Sequence, residues 1–168
     1  MEIIKSVKEM CSLSSDWRYN RKRVGLVPTM GFLHDGHISL VQKAVNDCDL
    51  AVVSIFVNPI QFGKGEDLES YPRDLSRVAD KLKKAGCHYI FVPSASDLYP
   101  GGYSTYVNVE DITNKLCGLS RPSHFRGVTT VVAKLFNIVK PHLAYFGQKD
   151  YQQLLVIKRM VEDLNMDV

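Results

Sequence analysis

The sequence predicts an α/β fold: a doubly wound parallel sheet with helices on both faces. Three observations carry this expectation. Short, mostly apolar runs recur at Val24–Val27, residues 49–57, residues 88–92 and Leu143–Phe146, the pattern of strands buried on both sides. Segments with apolar residues at helical spacing lie between them. The two kinds alternate along the chain, which favours parallel strands joined by helical crossovers. A length of 168 residues with 45% hydrophobic content suffices for one core, so a single domain over residues 1–168 is expected.

The elements follow in order. Ile3-Ile4 either begins a strand or anchors the first helix. Ser6-x-x-Glu9 is a capping-box pattern for a helix running toward Tyr19, with Val7, Met10 and Cys11 on one face. Arg21-Lys22-Arg23 ends that helix. After the strand at Val24–Val27, residues Leu40, Val41, Ala44, Val45 and Cys48 recur at helical spacing. Residues 49–57 form the next strand. Pro72 suits the first position of a helix with the stripe Leu75, Val78, Ala79, Leu82 and Ala85, closed by Gly86. The strand at 88–92 is stopped by Pro93. Residues 105–109 read as a short strand beyond the Pro-Gly-Gly turn at 100–102. Val128, Val131, Val132, Leu135, Phe136 and Val139 trace the clearest amphipathic helix. Leu154, Ile157, Val161 and Leu164 mark the last helix, and Met166-Asp167-Val168 reads as the start of a further strand.

Composition narrows the function. The net charge is only +3, with no basic run beyond residues 21–23, so nucleic acid is not an expected partner. The longest apolar stretch, Leu50–Val57, is broken by Ser54 and falls far short of the roughly 20 residues of a spanning helix. The N-terminus lacks the layout of a secretory signal. Cys11, Cys48, Cys87 and Cys117 are widely spaced with no CxxC, so neither a zinc knuckle nor a redox pair is encoded. A soluble, reduced, cytoplasmic protein without a membrane partner is expected.

Ligands of such sheets sit beyond the carboxyl ends of the strands, so the residues that follow strands are the first candidates. Met30, Gly31, Phe32, Leu33, His34, Asp35, Gly36 and His37 lead from one strand into a helix. A helix start offers unpaired N–H groups and the positive end of the dipole, which suit phosphate. Gly31 and Gly36 let the backbone turn sharply and a nucleotide come close. His34 and His37 can donate hydrogen bonds to charge building on a phosphate. The competing reading makes one histidine a cap and leaves the other on the surface. Asn58 and Gln61 follow the next strand. An amide there can donate to and accept from small polar substrates, unless Gln61 is an ordinary surface glutamine. Gly147, Gln148, Lys149 and Asp150 follow the last strand. Lys149 can set a compact positive charge against a phosphate. Asp150 either accepts from the ribose or adenine side or, with Gln153, caps the last helix. Asp35 is explained by the helix dipole alone. His124 and Arg126 flank an aromatic residue on a polar loop, with structural and functional readings evenly matched.

The His34-Asp35-Gly36-His37 turn resembles the nucleotidyl-transfer motif of class I tRNA synthetases and small-molecule adenylyltransferases. With Pro28-Thr29-Met30-Gly31, Phe56–Gly63, Tyr71-Pro72-Arg73, Arg121–Val128 and Phe146–Gln153 in that order, the chain resembles the pantothenate synthetase (pantoate–β-alanine ligase) family from residue 24 onward. The resemblance implies a Rossmann-like domain of the HIGH-motif nucleotidyltransferase type. It implies an ATP-dependent condensation of pantoate with β-alanine through a pantoyl adenylate, releasing pyrophosphate and AMP. It implies His37, His34 and Lys149 as catalytic, and Met30 to His37 with Gly147, Gln148, Lys149 and Asp150 as ATP-binding. Gln61 would touch pantoate and β-alanine, Gln153 pantoate, and Asn58 would belong to the substrate site. Mg²⁺ would accompany ATP, and a homodimer is implied.

Departures from the family matter too. Gln148 stands where many relatives carry an acid. Asp74 and Arg77-Val78 stand where relatives sometimes pair acids, so no metal ligand is assigned. The family's second phosphate-clamping loop, Met-Ser-Ser-Arg-like, is absent from these residues. The chain is therefore expected to be an N-terminal ATP- and pantoate-binding domain without its C-terminal lid, binding ATP but turning over slowly. Two other functions fit the same fold. One is an adenylyl- or cytidylyltransferase acting on a phosphorylated precursor, against which Asn58–Gln61 and the 147–153 block argue. The other is a nucleotide-binding module without turnover.

Overall fold

The computed structural model describes residues 1–63, 68, 71, 72 and 74–168. Arg73, part of one expected motif, lies outside the described residues. Among those residues five strands form one parallel sheet: β1 (Glu2–Ile4), β2 (Val24–Thr29), β3 (Leu50–Ile55), β4 (Tyr89–Phe91) and β5 (Leu143–Ala144), in the order β1-β4-β3-β2-β5. The helices are α1 (Val7–Tyr19), α2 (Asp35–Asp47), α3 (Leu75–Lys84), α4 (Ala95–Leu98), α5 (Cys117–Ser120), α6 (His124–Val139) and α7 (Tyr151–Asp163).

Alternation along the strands divides the core into two layers. Leu26 and Val52 face α1, α6 and α7, in a cluster with Met10, Phe136 and Ile157. Val27 and Val53 face the opposite way, toward Val41 and Ala44 of α2 and Val78 and Leu82 of α3. Successive residues of a strand point to opposite faces, so an unbroken apolar run is what a sheet covered on both sides requires. The doubly wound α/β expectation holds.

Several boundaries differ from the sequence reading. Residues 105–109 do not join the sheet. Val107 bonds to α6 instead: Thr129 Oγ1 donates to the Val107 carbonyl at 2.7 Å, and the Val107 N–H donates to Thr130 Oγ1 at 3.0 Å. Pro72 is not the first residue of α3. Asp74 caps that helix by accepting from the Arg77 N–H at 3.0 Å, and a short polar side chain at that position is a strong start signal. Helix α1 does start at the Ser6 cap, but it ends at Tyr19, so residues 21–23 lie beyond it. The 121–126 loop is partly helical, because α6 begins at His124. Residues 166–168 form no strand, and Asp167 instead pairs with Arg18 at 2.9 Å. Strands β3, β4 and β5 are shorter than their apolar runs: Phe56, Tyr145 and Phe146 leave the sheet to border the cleft described below, and Val57 and Val92 border a separate hollow beside α3. Helices α4 and α5 and the 3-10 turns at Pro59–Gln61, Ile112–Asn114 and Gln148–Asp150 are too short to leave a periodic trace.

All four cysteines are free thiols, and burial pushes the Cys87 thiol up to about 11. Among the described residues no helix is long and apolar enough to cross a membrane. The fold also fixes where a ligand belongs. From β2 the chain passes through α2 to β3 on one side, while β5 lies on the other side of β2 and arrives from α6. The carboxyl ends of β2 and β5 part there, and a crevice at such a switch point is the usual ligand site of open parallel sheets.

Candidate functional site

The crevice has two connected chambers. The outer one, about 550 Å³, is walled by the start of α2 and by the turn after β5, with His34, His37, Gly147, Lys149 and Asp150 in its lining. The inner one, about 160 Å³, shares Pro28, His37, Phe146, Asp150 and Gln153 with it and continues down to Asn58 and Gln61.

His34 and His37 interlock at the outer rim. His34 is the N-cap of α2, and its Nδ1 accepts from the Gly36 N–H at 3.1 Å. His37 reaches back, its Nδ1 accepting from the His34 N–H at 3.4 Å. The ring centroids are 4.2 Å apart. A ring that accepts at Nδ1 carries its proton on Nε2, so each histidine keeps one donor for a ligand. Burial holds His37 below its usual value of 6.5; His34 and Lys149 push the same way, and Asp150 opposes them. Capping and ligand binding are thus not alternatives here: the cap is made by one face of each ring, and the other face is spare.

Asp150 answers the other open question. It occupies the N-cap position of α7 but its carboxylate makes no capping hydrogen bond. The preceding turn, Gln148–Asp150, is 3-10, so the helix start is organised without it. Capping by Asp150 with Gln153 is therefore not observed, and both side chains line the crevice instead.

The inner chamber is built from buried amides and an apolar wall. Asn58 donates from Nδ2 to Gln61 Oε1 and to the Gly127 carbonyl, each at 3.0 Å, and accepts at Oδ1 from the Tyr99 hydroxyl at 2.8 Å. Asn58 is 1% exposed, so these bonds satisfy an amide that burial would otherwise penalise. Gln61 Nε2 faces the sulfur of Met30 at 3.5 Å. Val128, Val131, Val132 and Leu135 of α6 supply the apolar side. Burial and its tyrosine neighbours raise the pKa of Tyr99, which keeps its hydroxyl a donor.

Of the residues expected from the sequence, the structure brings together His34, Gly36, His37, Gly147, Gln148, Lys149 and Asp150 around the outer chamber. It brings Met30, Asn58, Gln61 and Gln153 around the inner one. Phe32, Leu33 and Asp35 line neither. Phe32 is exposed, Leu33 is buried in the α2/α3 layer, and the Leu33 carbonyl accepts from Lys81 Nζ at 2.9 Å, which ties the turn to α3. Gly31, at φ 101°, borders a separate apolar hollow of about 290 Å³ beside α3. Sequence reasoning missed Tyr99, Lys81 and Gly127. Only Gly127 left a signal, a glycine directly before the first residue of a well-patterned helix, where a close backbone approach is possible. Among the described residues no group of three or more metal-binding side chains occurs.

Comparison with known proteins gives a consistent picture. The family model described as pantoate-beta-alanine ligase matches residues 2–168. A pantothenate synthetase of Geotalea uraniireducens is 62% identical over 170 residues, covering all of this chain and 60% of the relative. One from Thermodesulfovibrio yellowstonii is 56% identical over 168 residues, with the same coverage. The crystal structure of pantoate-beta-alanine ligase from Thermus thermophilus matches with a TM-score of 0.94 at 49% identity, over all of this chain and 59% of that one. A Francisella tularensis ligase, solved in complex with beta-gamma ATP and beta-alanine, matches with a TM-score of 0.95 at 41% identity, over all of this chain and 64% of that one. The chain spans about 60% of the length of the curated relatives it matches.

Proposed function

This chain belongs to the pantoate–β-alanine ligase family, and on that premise we propose that it is the part of such a ligase that holds ATP in the outer chamber and pantoate in the inner one. The observation that carries this reading is the pairing of a polar, donor-lined outer chamber with a small amide-and-valine inner chamber through His37. The inner volume suits a branched hydroxy acid rather than a nucleotide. Its valines would cover the methyl groups, and the Gln61 and Gln153 amides would meet the hydroxyls and carboxylate.

The chemistry follows from that placement. A pantoate carboxylate oxygen forms a bond to the α-phosphorus of ATP while the bond to pyrophosphate breaks. Negative charge grows on the phosphate oxygens at the mouth between the chambers. His37 and His34 donate there from Nε2, the N-terminus of α2 adds its dipole, and Lys149 adds a full positive charge. Keeping His37 below 6.5 leaves it a neutral donor at pH 7, already oriented by its bond to the His34 N–H. The amine of β-alanine then attacks the acyl carbon and AMP departs, with Gln61 near the incoming amine. Mg²⁺ enters as part of the nucleotide substrate, carried on the phosphates; Asp150 is the one carboxylate among the described residues lining the outer chamber.

The rest of the proposal concerns the whole enzyme. It acts in the cytoplasm as a homodimer, and the 168 residues alone bind ATP but turn over slowly, because a second phosphate clamp is not among them. Thermal melts of the chain test the ligand assignment. ATP and pantoate each raise the melting temperature, by about 2.7 kcal/mol of stabilisation at a hundredfold excess over Kd, and a phosphomonoester of pantoate's size does not. Stabilisation by the phosphomonoester but not by pantoate would favour a nucleotidyltransferase of phosphorylated precursors instead.

A further inference from the structure

We propose that His124 is a positioning residue that holds the backbone of Gln61, so that the Gln61 amide meets the substrate at a fixed depth in the inner chamber. The inference rests on the reading of that chamber as the pantoate site.

His124 opens α6, and across 63 residues of sequence its Nδ1 lies 3.1 Å from the Gln61 carbonyl oxygen. Its Nε2 lies 3.3 Å from Arg121 Nη1. A guanidinium only donates, so Nε2 accepts, and the ring carries its proton at Nδ1. Both contacts are then satisfied by one tautomer, with Nδ1–H donating to the Gln61 carbonyl. Among the described residues His124 is not part of the lining of either chamber, so its contact with Gln61 is its route to a ligand there.

Gln61 needs this support. It ends a single 3-10 turn, Pro59–Gln61, whose own closing bond from the Gln61 N–H to the Asn58 carbonyl is long at 3.4 Å. Short 3-10 turns have poor hydrogen-bond geometry and hold themselves weakly. The residue is only 9% exposed, so an unpaired carbonyl would be costly. One helical turn beyond His124, a Cβ on Gly127 would sit 2.5 Å from Gln61 Cα and 2.7 Å from its nitrogen. The start of α6 therefore fixes Gln61 twice, by a donor at its carbonyl and by bare backbone against its Cα. Asn58 orients the side chain from the other end.

Calorimetry with pantoate and with ATP, separately, on His124→Ala, His124→Asn, Gln61→Ala and the Gln61→Ala/His124→Ala double variant tests the proposal. Asparagine can set its Nδ2 where Nδ1 stood. His124→Ala should weaken pantoate binding about fivefold to tenfold and leave ATP binding within twofold. His124→Asn should recover most of the loss, and His124→Ala should cost nothing further once Gln61 is alanine. Should His124→Ala not fold, His124→Gln, whose longer amide reaches the Nε2 position only, takes its place with the same expected loss. Unchanged pantoate affinity in His124→Ala while Gln61→Ala loses it overturns the positioning role. So does an equal loss for both ligands, or an asparagine variant no better than alanine. Unchanged pantoate affinity in Gln61→Ala itself overturns the pantoate reading of the chamber, and the positioning role with it.

Discussion

The two chambers of the crevice are built in opposite ways. Each wall of the outer one is local: His34 accepts from an N–H two residues ahead, His37 from one three residues behind, and Gln148–Asp150 is a single turn. The inner one is assembled across the chain. Asn58 reaches Gly127 over 69 residues, His124 reaches Gln61 over 63, and Tyr99 reaches Asn58 over 41. Local construction sets oriented donors on an open rim, an arrangement suited to a hydrated polyphosphate. Long-range construction makes a buried pocket whose shape is fixed by the core, which suits recognition of a small ligand. The lesson is that a donor array can be specified by one turn, whereas a specificity pocket needs the whole fold.

The largest expected effect lies on the outer side. His37→Ala should slow pantoate-dependent ATP–pyrophosphate exchange by about 10²–10³-fold, the cost of one preoriented donor to developing charge. The assay requires this domain within a chain of the length its relatives have, and pantoate affinity should stay near wild type. Exchange within a few-fold of wild type would reduce His37 to a partner in the α2 cap.

Two glycines sharpen the contrast in stability. A methyl at Gly127 runs into the backbone of residues 60 and 61, which cannot move without disturbing the core; Gly127→Ala should cost about 1–3 kcal/mol and weaken pantoate binding. A methyl at Gly36 meets only the His34 ring, at 2.9 Å from Cε1, and that ring can turn into solvent. Alanine also favours the helix there. Gly36→Ala should therefore stay within about 1 kcal/mol of wild type in denaturant unfolding, while ATP binding weakens. Equal costs at both sites would mean that the two chambers are not built differently.

The smallest effect is a pH dependence. Burial first, then His34, hold His37 below 6.5. A histidine whose folded pKa is depressed contributes stability that is fully present above pH 6.5. It is lost as pH falls from there through the folded value, because the unfolded chain takes up a proton that the folded ring refuses. An NMR titration should place the His37 midpoint below 6.5. His34→Asn, which keeps a capping oxygen but removes a neighbouring charge, should raise it. A midpoint at or above 6.5 in the unliganded chain would contradict the buried, neutral donor.

The same contrast explains how much could be read from the sequence. The strands were legible because both faces of the sheet are covered, so Leu26 and Val27 could both be apolar. The outer site was legible because its residues fall in two short blocks, each running from a strand end into a helix start, one of them carrying the histidine pair. Which ring capped was not, since that depends on ring orientation, and both rings cap through Nδ1 while each leaves Nε2 as a donor. Asp150 read as a ligand contact or a cap, because Asp-x-x-Gln is also a capping pattern; the structure shows no capping bond from it, and a 3-10 turn precedes α7. Residues 105–109 read as a strand because they follow a Pro-Gly-Gly turn, but threonines of α6, not a neighbouring strand, take the hydrogen bonds of Val107. His124 could not be assigned at all, since its partner is the backbone of a residue 63 positions away.

The central claim is that one crevice holds two ligands in two separately built chambers. Amide NMR of the chain, titrated first with ATP and then with pantoate, tests it most directly. ATP should move the signals of His34 to His37 and of Gly147 to Asp150, and leave Gln61 and Val131 in place. Pantoate should move Gln61, Gln153 and Val128 to Val132, with His37 responding to both ligands. If both ligands move the same signals, or if pantoate leaves Gln61 and the α6 valines untouched, the two-chamber account is contradicted.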